Sequence, residues 1–226
     1  MRQLILDIRP DTPHTFDNFL PGPNIEAVAT LQRCTQPAAA FSGEHVLYLW
    51  GEKGVGKTHL LQSWSALAHA PLFGEQASTL PETLPENMQP LWAIDDIDQL
   101  STENQTRLFS LLNDARELGG RVVISGTLPP SQLQIRADLA TRIAQGLVFR
   151  LLPLTDSDKR QAINLRAEAR GMQLNDDILR HLLTHCRRDL PHLLKTVDDL
   201  DTLSLSRKRP PTVVLLRKML QDRTAH

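Results

Sequence analysis

The sequence predicts an α/β fold, a parallel five-stranded sheet covered by helices, followed by a small all-helical appendage. Three observations carry this. Over roughly the first 154 residues, short unbroken apolar runs alternate with helical-period segments, the pattern of strands buried on both faces. A glycine-rich loop from Gly51 to Thr58 sits between one apolar run and the next helix. After Pro153 the strand pattern ends and only helical periodicity remains.

Taken in order, Gln3 to Ile8 alternates weakly and leads into PDTPHTFDNFLPGPN, whose prolines and small polar residues describe an extended strap. Asn24 stands where an N-cap belongs ahead of the helical pattern IEAVATLQRC. His45 to Trp50 reads as the first strand, and THLLQSWSALAHA, from Thr58, as the helix after the glycine loop. Pro71 to Phe73, Leu91 to Asp95, Arg121 to Gly126 and Gly146 to Leu154 supply the other four strands. NQTRLFSLLNDARELGG forms a helix closed by Gly119 and Gly120, and a short helix precedes Gly146. Thr155 with Asp158 makes a capping box before KRQAINLRAEAR, which Gly171 ends. NDDILRHLLTHC, DLPHLLKTVDDLDTLSL and VVLLRKMLQD complete the appendage. The expected division is 1–23 for the N-terminal segment and strap, 24–154 for the α/β core and 155–226 for the helical part.

Composition narrows the function classes. With 25 Lys and Arg against 26 Asp and Glu the net charge is −1, so no general field draws nucleic acid or an anionic membrane, and little direct DNA binding is expected. The two cysteines, Cys34 and Cys186, lie far apart without zinc-type spacing, which suits a reducing, cytoplasmic setting. No apolar run approaches the ~20 residues that span a bilayer.

Gly51-Glu-Lys-Gly-Val-Gly-Lys-Thr58 fits the phosphate-binding pattern G-x-x-x-x-G-K-[ST] at every fixed position. Gly51, Gly54 and Gly56 let backbone amides turn toward phosphates. Lys57 reaches β/γ oxygens and Thr58 offers a hydroxyl to Mg²⁺. The run ending in Asp95 and Asp96 delivers carboxylates beside that loop, Asp95 for the Mg²⁺ shell and Asp96 to orient an attacking water.

On these motifs the chain resembles the AAA+ domain of the bacterial replication-initiator DnaA family, and more closely its truncated Hda branch, the regulatory inactivators of DnaA. FDNFLPGPN resembles the family box that lines the adenine pocket, GEKGVGKTHL its phosphate loop and LWAIDDID its Walker B strand. SGTLPPSQL resembles the sensor I stretch, LATRIAQG the arginine-finger box, and LPLTDSDKRQAINLRAEARG the entry to a helical lid. The resemblance implies ADP or ATP with Mg²⁺ as cofactor, with Phe16, Asn18, Val55 and His59 joining the loop residues around it. It implies Arg142 as a finger reaching a neighbouring subunit's nucleotide. Two positions depart from the family pattern: Thr127 stands where sensor I is usually acidic, and Pro191 where sensor II usually has arginine, leaving only Arg187 and Arg188 nearby. Weak intrinsic ATPase at most is therefore expected.

Gln3-Leu4-Ile5-Leu6-Asp7-Ile8 is similar to the sliding-clamp-binding motif Q-L-x-L-x-[LF], with Gln3, Leu4, Leu6 and Ile8 as the contact residues. The implied partners are DnaA and the DNA polymerase sliding clamp (beta subunit), and self-association into a homo-oligomer is left open. The implied function is negative regulation of replication initiation by stimulating hydrolysis of DnaA-bound ATP. The alternative is a DNA-binding initiator or helicase-loader-type ATPase, which a basic face would favour.

Overall fold

The structure, a computed structural model, describes residues 13–35, 45–74, 80–81, 91–187, 189–207 and 209–224. It divides into two compact units, one containing the chain up to Phe19 and Asn24–Leu151, the other Leu20–Pro23 and the chain from Leu152 onward.

The first unit is built on five parallel strands, β1 (Val46–Trp50), β2 (Leu72–Phe73), β3 (Leu91–Ile94), β4 (Arg121–Gly126) and β5 (Leu147–Arg150), in the order β2-β3-β4-β1-β5. Because successive strand residues point to opposite faces, each apolar run feeds two cores. Tyr48, Trp92, Ile94, Val122 and Ile124 face one core, closed by α3 (Thr102–Glu117) and α4 (Ala137–Ala144). Leu47, Leu49, Ala93 and Val123 face the other, closed by α1 (Ile25–Arg33) and α2 (Lys57–Ala68). The unbroken apolar runs are thus explained by two-sided burial.

The second unit contains four helices, α5 (Asp156–Glu168), α6 (Asp176–His185), α7 (Leu190–Arg207) and α8 (Val213–Thr224), around Ile163, Ile178, Leu182, Leu193, Val197 and Leu216. The Thr155–Asp158 box forms in both directions: the Thr155 side chain accepts from the Asp158 N–H, and Asp158 accepts from the Thr155 N–H at 2.9 Å. Arg166 forks onto Asp198 at 2.9 and 2.8 Å, and Arg170 pairs with Asp198 at 2.6 Å and Asp201 at 3.3 Å, tying α5 to α7.

Several element boundaries shift by a residue or two from expectation, and three differences have a local physical reason. Asn24 makes no side-chain cap on α1, because a 3-10 turn over Gly22–Asn24 holds it at φ −100°, ψ 22° rather than in the extended region a capping side chain needs. The helix expected from Asn104 begins earlier, at Thr102, with the Ser101 side chain accepting from the Asn104 N–H. The fifth strand stops at Arg150 rather than Leu154. Leu151 N–H still donates to Trp50 O at 2.7 Å, but Pro153 has no N–H with which to continue a ladder.

Candidate functional site

The carboxyl ends of parallel strands are where an α/β sheet leaves room for ligands. Here the exit of β1 becomes the loop from Gly51. A Cβ at Gly51 would lie 2.5 Å from the Leu151 carbonyl oxygen, and one at Gly56, which has φ +100°, would lie 2.6 Å from the Phe19 ring. Side chains are excluded at both points, so the backbone itself lines the loop. Helix α2 starts at Lys57 with Gly56 as an N-cap that offers no side-chain acceptor, so the amides of its first turn face the loop uncapped.

Lys57 is buried, and its ammonium donates to the carbonyl oxygens of Gly51 at 2.8 Å and Glu52 at 3.0 Å. Burial pushes its pKa below the ordinary lysine value, against the opposing pull of Asp96, Asp95 and Asp98. Thr58 and Gly54 are exposed and Val55 is half-buried.

The next two strands bring their polar ends to the same edge. Asp95 is buried and takes a short hydrogen bond from the Ser125 hydroxyl on β4. Ser125 Oγ in turn accepts from the Asp96 N–H at 3.0 Å, and Asp96 sits in the left-handed region at φ 51°, ψ 61°. One residue past β4, Thr127 donates through its N–H at 2.6 Å and its hydroxyl at 3.0 Å to Asp98 Oδ2. The Tyr48 hydroxyl, from β1, donates to the Leu128 carbonyl at 2.7 Å, and burial followed by the Asp98 charge pushes its pKa up.

Sequence reasoning missed Ser125 and Asp98. Their signals were a serine inside an apolar strand, which must find a polar partner, and a third acid in the run Ile94-Asp95-Asp96-Ile97-Asp98.

The strap folds against the first turns of α2. Thr15 O meets His59 Nε2 at 2.9 Å, which fixes the Nε2–H tautomer because a carbonyl only accepts. The His59 ring packs against His14 at 4.5 Å and Phe19 at 5.2 Å. Its pKa is lowered by burial first, with the Thr15 carbonyl opposing and His14 adding to the lowering. The Asn18 amide shapes the strap itself, donating to Pro13 O at 2.8 Å and accepting from Thr15 N at 3.0 Å, while Phe16 packs on the core beneath.

Arg142 stands half-buried in the last turn of α4, and no hydrogen bond or ion pair joins its side chain to another described residue. One turn further on, Gly146 packs against Val46, the residue of β1 farthest from Gly51, so Arg142 leads toward the sheet edge opposite the loop. In the other unit, Pro191 lies in the first turn of α7 and Arg187 pairs with Asp189 at 3.3 Å. Gln3, Leu4, Leu6, Ile8 and Arg188 lie outside the described residues. Among the described residues no group of three or more His, Cys, Asp or Glu is arranged to hold a metal, and no helix is long and apolar enough to cross a membrane.

Comparison with known proteins places this geometry. Residues 11–74 match the family model of the bacterial DnaA ATPase domain, and residues 156–220 match that of the Hda lid domain. Domain III of Thermotoga maritima DnaA superposes with a TM-score of 0.72 at 23% identity, covering 95% of this chain and 98% of that one. AMPPCP-bound DnaA from Aquifex aeolicus gives 0.70 at 17% identity over 86% of this chain and 66% of that one. The Thermotoga maritima RuvB Holliday junction branch migration motor gives 0.66 at 15% identity over 92% and 72%. The fold is the AAA+ α/β fold with a helical lid, and the chain is a DnaA-related AAA+ protein, Hda-like in its lid.

Proposed function

We propose that the chain is a cytoplasmic negative regulator of replication initiation that binds an adenine nucleotide, docks on the DNA sliding clamp and accelerates hydrolysis of ATP held by DnaA. The observation that carries this reading is the pairing, in one chain, of a DnaA-type ATPase segment with an Hda-type lid.

The site fits a nucleotide. Its backbone-lined loop, the uncapped start of α2 and the buried Lys57 suit phosphate oxygens, and an Aquifex DnaA of the same fold carries AMPPCP. The amides from Gly51 to Lys57 and the Lys57 ammonium hold phosphate, Gly54 and Val55 shape the loop, and Phe16, Asn18 and His59 border the base. Thr58 and Asp95 are the residues to hold Mg²⁺, which when bound supplies positive charge against the phosphates. Asp96 positions water, its direction set by Ser125 through the Asp96 N–H.

Arg142 acts on DnaA rather than on this chain's own nucleotide, a role supported by a guanidinium that has no hydrogen-bond or ion-pair partner among the described residues and by the position of its helix end near the sheet edge opposite the loop. The test is single-turnover decay of DnaA-bound ATP with DNA-loaded clamp. Arg142→Ala should lose roughly 10³- to 10⁵-fold stimulation, the worth of an arginine finger, while keeping ADP binding. Replacing Gln3 and Leu4 by alanine should abolish clamp capture and leave nucleotide affinity intact. Stimulation by Arg142→Ala equal to wild type removes the finger assignment, and clamp retention by the double variant removes the docking segment.

A further inference from the structure

We propose that the part of the lid formed by the last turn of α7, residues 209–212 and α8 is a binding face for the phosphate backbone of duplex DNA, without preference for sequence. This face lies wholly within the lid and stands independently of the proposed function.

The net charge of −1 averages over unlike parts. Residues 1–154 hold 11 Lys and Arg against 16 Asp and Glu, whereas residues 202–226 hold six against a single acid, Asp222. Residues 155–201 are near balance, with eight against nine. Pairing follows the same division. Every arginine of 155–201 whose side chain is described meets a carboxylate: Arg160 with Asp176 at 3.3 Å, Arg180 with Asp177 at 3.8 Å and Arg187 with Asp189 at 3.3 Å, beside the Arg166 and Arg170 pairs with Asp198 and Asp201. Arg207, Arg209, Arg217 and Lys218 are exposed, and none has a hydrogen bond or ion pair from its side chain to another described residue. A merely solvated surface is stabilised by mixing signs, as in the rest of the lid. Cations gathered without acids leave their field for an outside anion.

The fold fixes where these cations stand. Helix α8 turns Leu215, Leu216 and Met219 to the lid core, so Val214, Arg217, Lys218 and Gln221, at helical spacing, share the opposite face. Ahead of α8, the Arg209 N–H donates to Ser204 O at 3.1 Å and the Ser204 hydroxyl donates to Arg209 O, tying this stretch back on α7, and Pro210 and Pro211 stiffen it. Four residue steps and then about one helical turn separate Arg209 from Arg217, at most roughly 20 Å. Duplex DNA presents about a dozen charges over that length, one per ~1.7 Å of axis.

The kind of polyanion follows from composition. Residues 155–226 contain no Phe, Trp or Tyr. Single strands are held largely by stacking bases on aromatic rings, and interfacial helices commonly anchor in lipid through Trp and Phe. Duplex phosphates need only cations at fixed spacing. Leu205 and Val214, 71% and 77% exposed, flank the face and are the anchors an acidic protein would use, so that rival enters the test directly.

The experiment is fluorescence anisotropy of the full chain, without clamp or DnaA, on a labelled duplex of about 30 base pairs. Wild type should bind with a Kd of roughly 10⁻⁵ to 10⁻⁴ M at about 50 mM salt, and two duplexes of different sequence should agree within about threefold. At about −0.9 in log–log salt slope per cation, the four cations predict a slope near −3.6, roughly a hundredfold loss between about 50 and 200 mM. Arg207→Ala with Arg209→Ala should remove about 1.8 from that slope and weaken binding at least about tenfold at low salt. Alanine at all four positions should weaken it at least about a hundredfold. Arg160→Ala, on α5, should leave affinity within about threefold. The double variant carries the test if the quadruple variant fails to fold.

No binding by wild type, a salt slope near zero, a tenfold preference for one sequence, or a loss in Arg160→Ala equal to that of the double variant overturns the inference. So does tighter binding of polyglutamate, of the corresponding single strand or of phosphatidylserine vesicles than of duplex, each of which assigns the face to another class of partner. Absent duplex binding with stimulation of DnaA intact counts against this inference alone. Duplex binding without stimulation of DnaA counts against the proposed function alone.

Discussion

At the carboxyl edge of the sheet, Lys57 is desolvated among Asp95, Asp96 and Asp98, and its pKa is depressed despite the attraction of all three. Between α5 and α7, Arg166 is held by the Asp198 fork, and hydrogen bonding to that carboxylate raises its pKa. Both regions bring cations and acids together, but with opposite effect on the cation. In the lid the partners satisfy one another at a half-exposed surface and tie two helices. In the core the cation is kept where burial penalises its charge, with only loop carbonyls for direct partners. A group maintained against its own solvation is poised for something else to bind, whereas a mutually satisfied pair is structural.

Lys57→Ala should separate the two cases most sharply. Nucleotide affinity should fall by at least about a hundredfold in calorimetry, because the charge-assisted contact of the buried ammonium to phosphate is lost, and the loop's other lysine, Lys53, is exposed to solvent. The melting temperature should move by only a few degrees, roughly 1 kcal/mol or less for a chain of this size, since a desolvated ammonium is removed along with its contacts. A large loss of stability with intact affinity would make Lys57 a structural residue and erase the contrast.

Asp198→Ala should give the complementary result with a smaller effect. It strips Arg166 and Arg170 of their shared partner, and with Arg166 41% exposed the cost is discounted to about 1–2 kcal/mol. Hydrogen exchange should quicken in α5 and α7, with far less loss of nucleotide affinity than Lys57→Ala causes. Unchanged exchange in both helices would show that the fork adds nothing to the lid.

What the sequence made legible follows from how local each feature is. The loop from Gly51 to Thr58 and the Thr155–Asp158 box are fixed by spacings of a few residues, so their geometry could be read directly. Strand existence was readable from apolar runs, and even the two-residue β2 falls inside the expected Pro71–Phe73 segment. The pairs that organise the candidate site were not readable. Ser125 meets Asp95, Thr127 meets Asp98 and Tyr48 meets Leu128 only because β1, β3 and β4 end side by side, and no local spacing encodes that order. Asn24 failed for a related reason: a residue of the right type does not cap unless its own backbone is extended, and the turn from Gly22 prevents it.

The smallest expected effect concerns the strap and pH. His59 holds Thr15 through Nε2, and burial keeps its pKa below the ordinary 6.5. The unfolded chain then takes up a proton at this position before the folded chain does. Stability from the His59 contact is fully present above the unfolded value and declines as pH falls through it toward the folded value. His181 on α6 shares the direction, lowered by burial, then by His185 and Arg217, so total stability alone does not isolate the strap. The informative readouts are the NMR titration of the His59 ring, with a midpoint expected below 6.5, and hydrogen exchange at the Phe19 N–H, which bonds Phe16 O at 3.3 Å. Between pH 8 and pH 5.5 that amide should lose protection in wild type. In His59→Gln, whose amide still donates to Thr15 O but does not titrate in this range, the loss should be abolished, with roughly a degree or two less pH dependence in melting temperature. A His59 midpoint above 6.5 would reverse the sign, making acid strengthen the strap and placing a second stabilised cation, of the kind seen in the lid, beside the loop from Gly51 to Thr58.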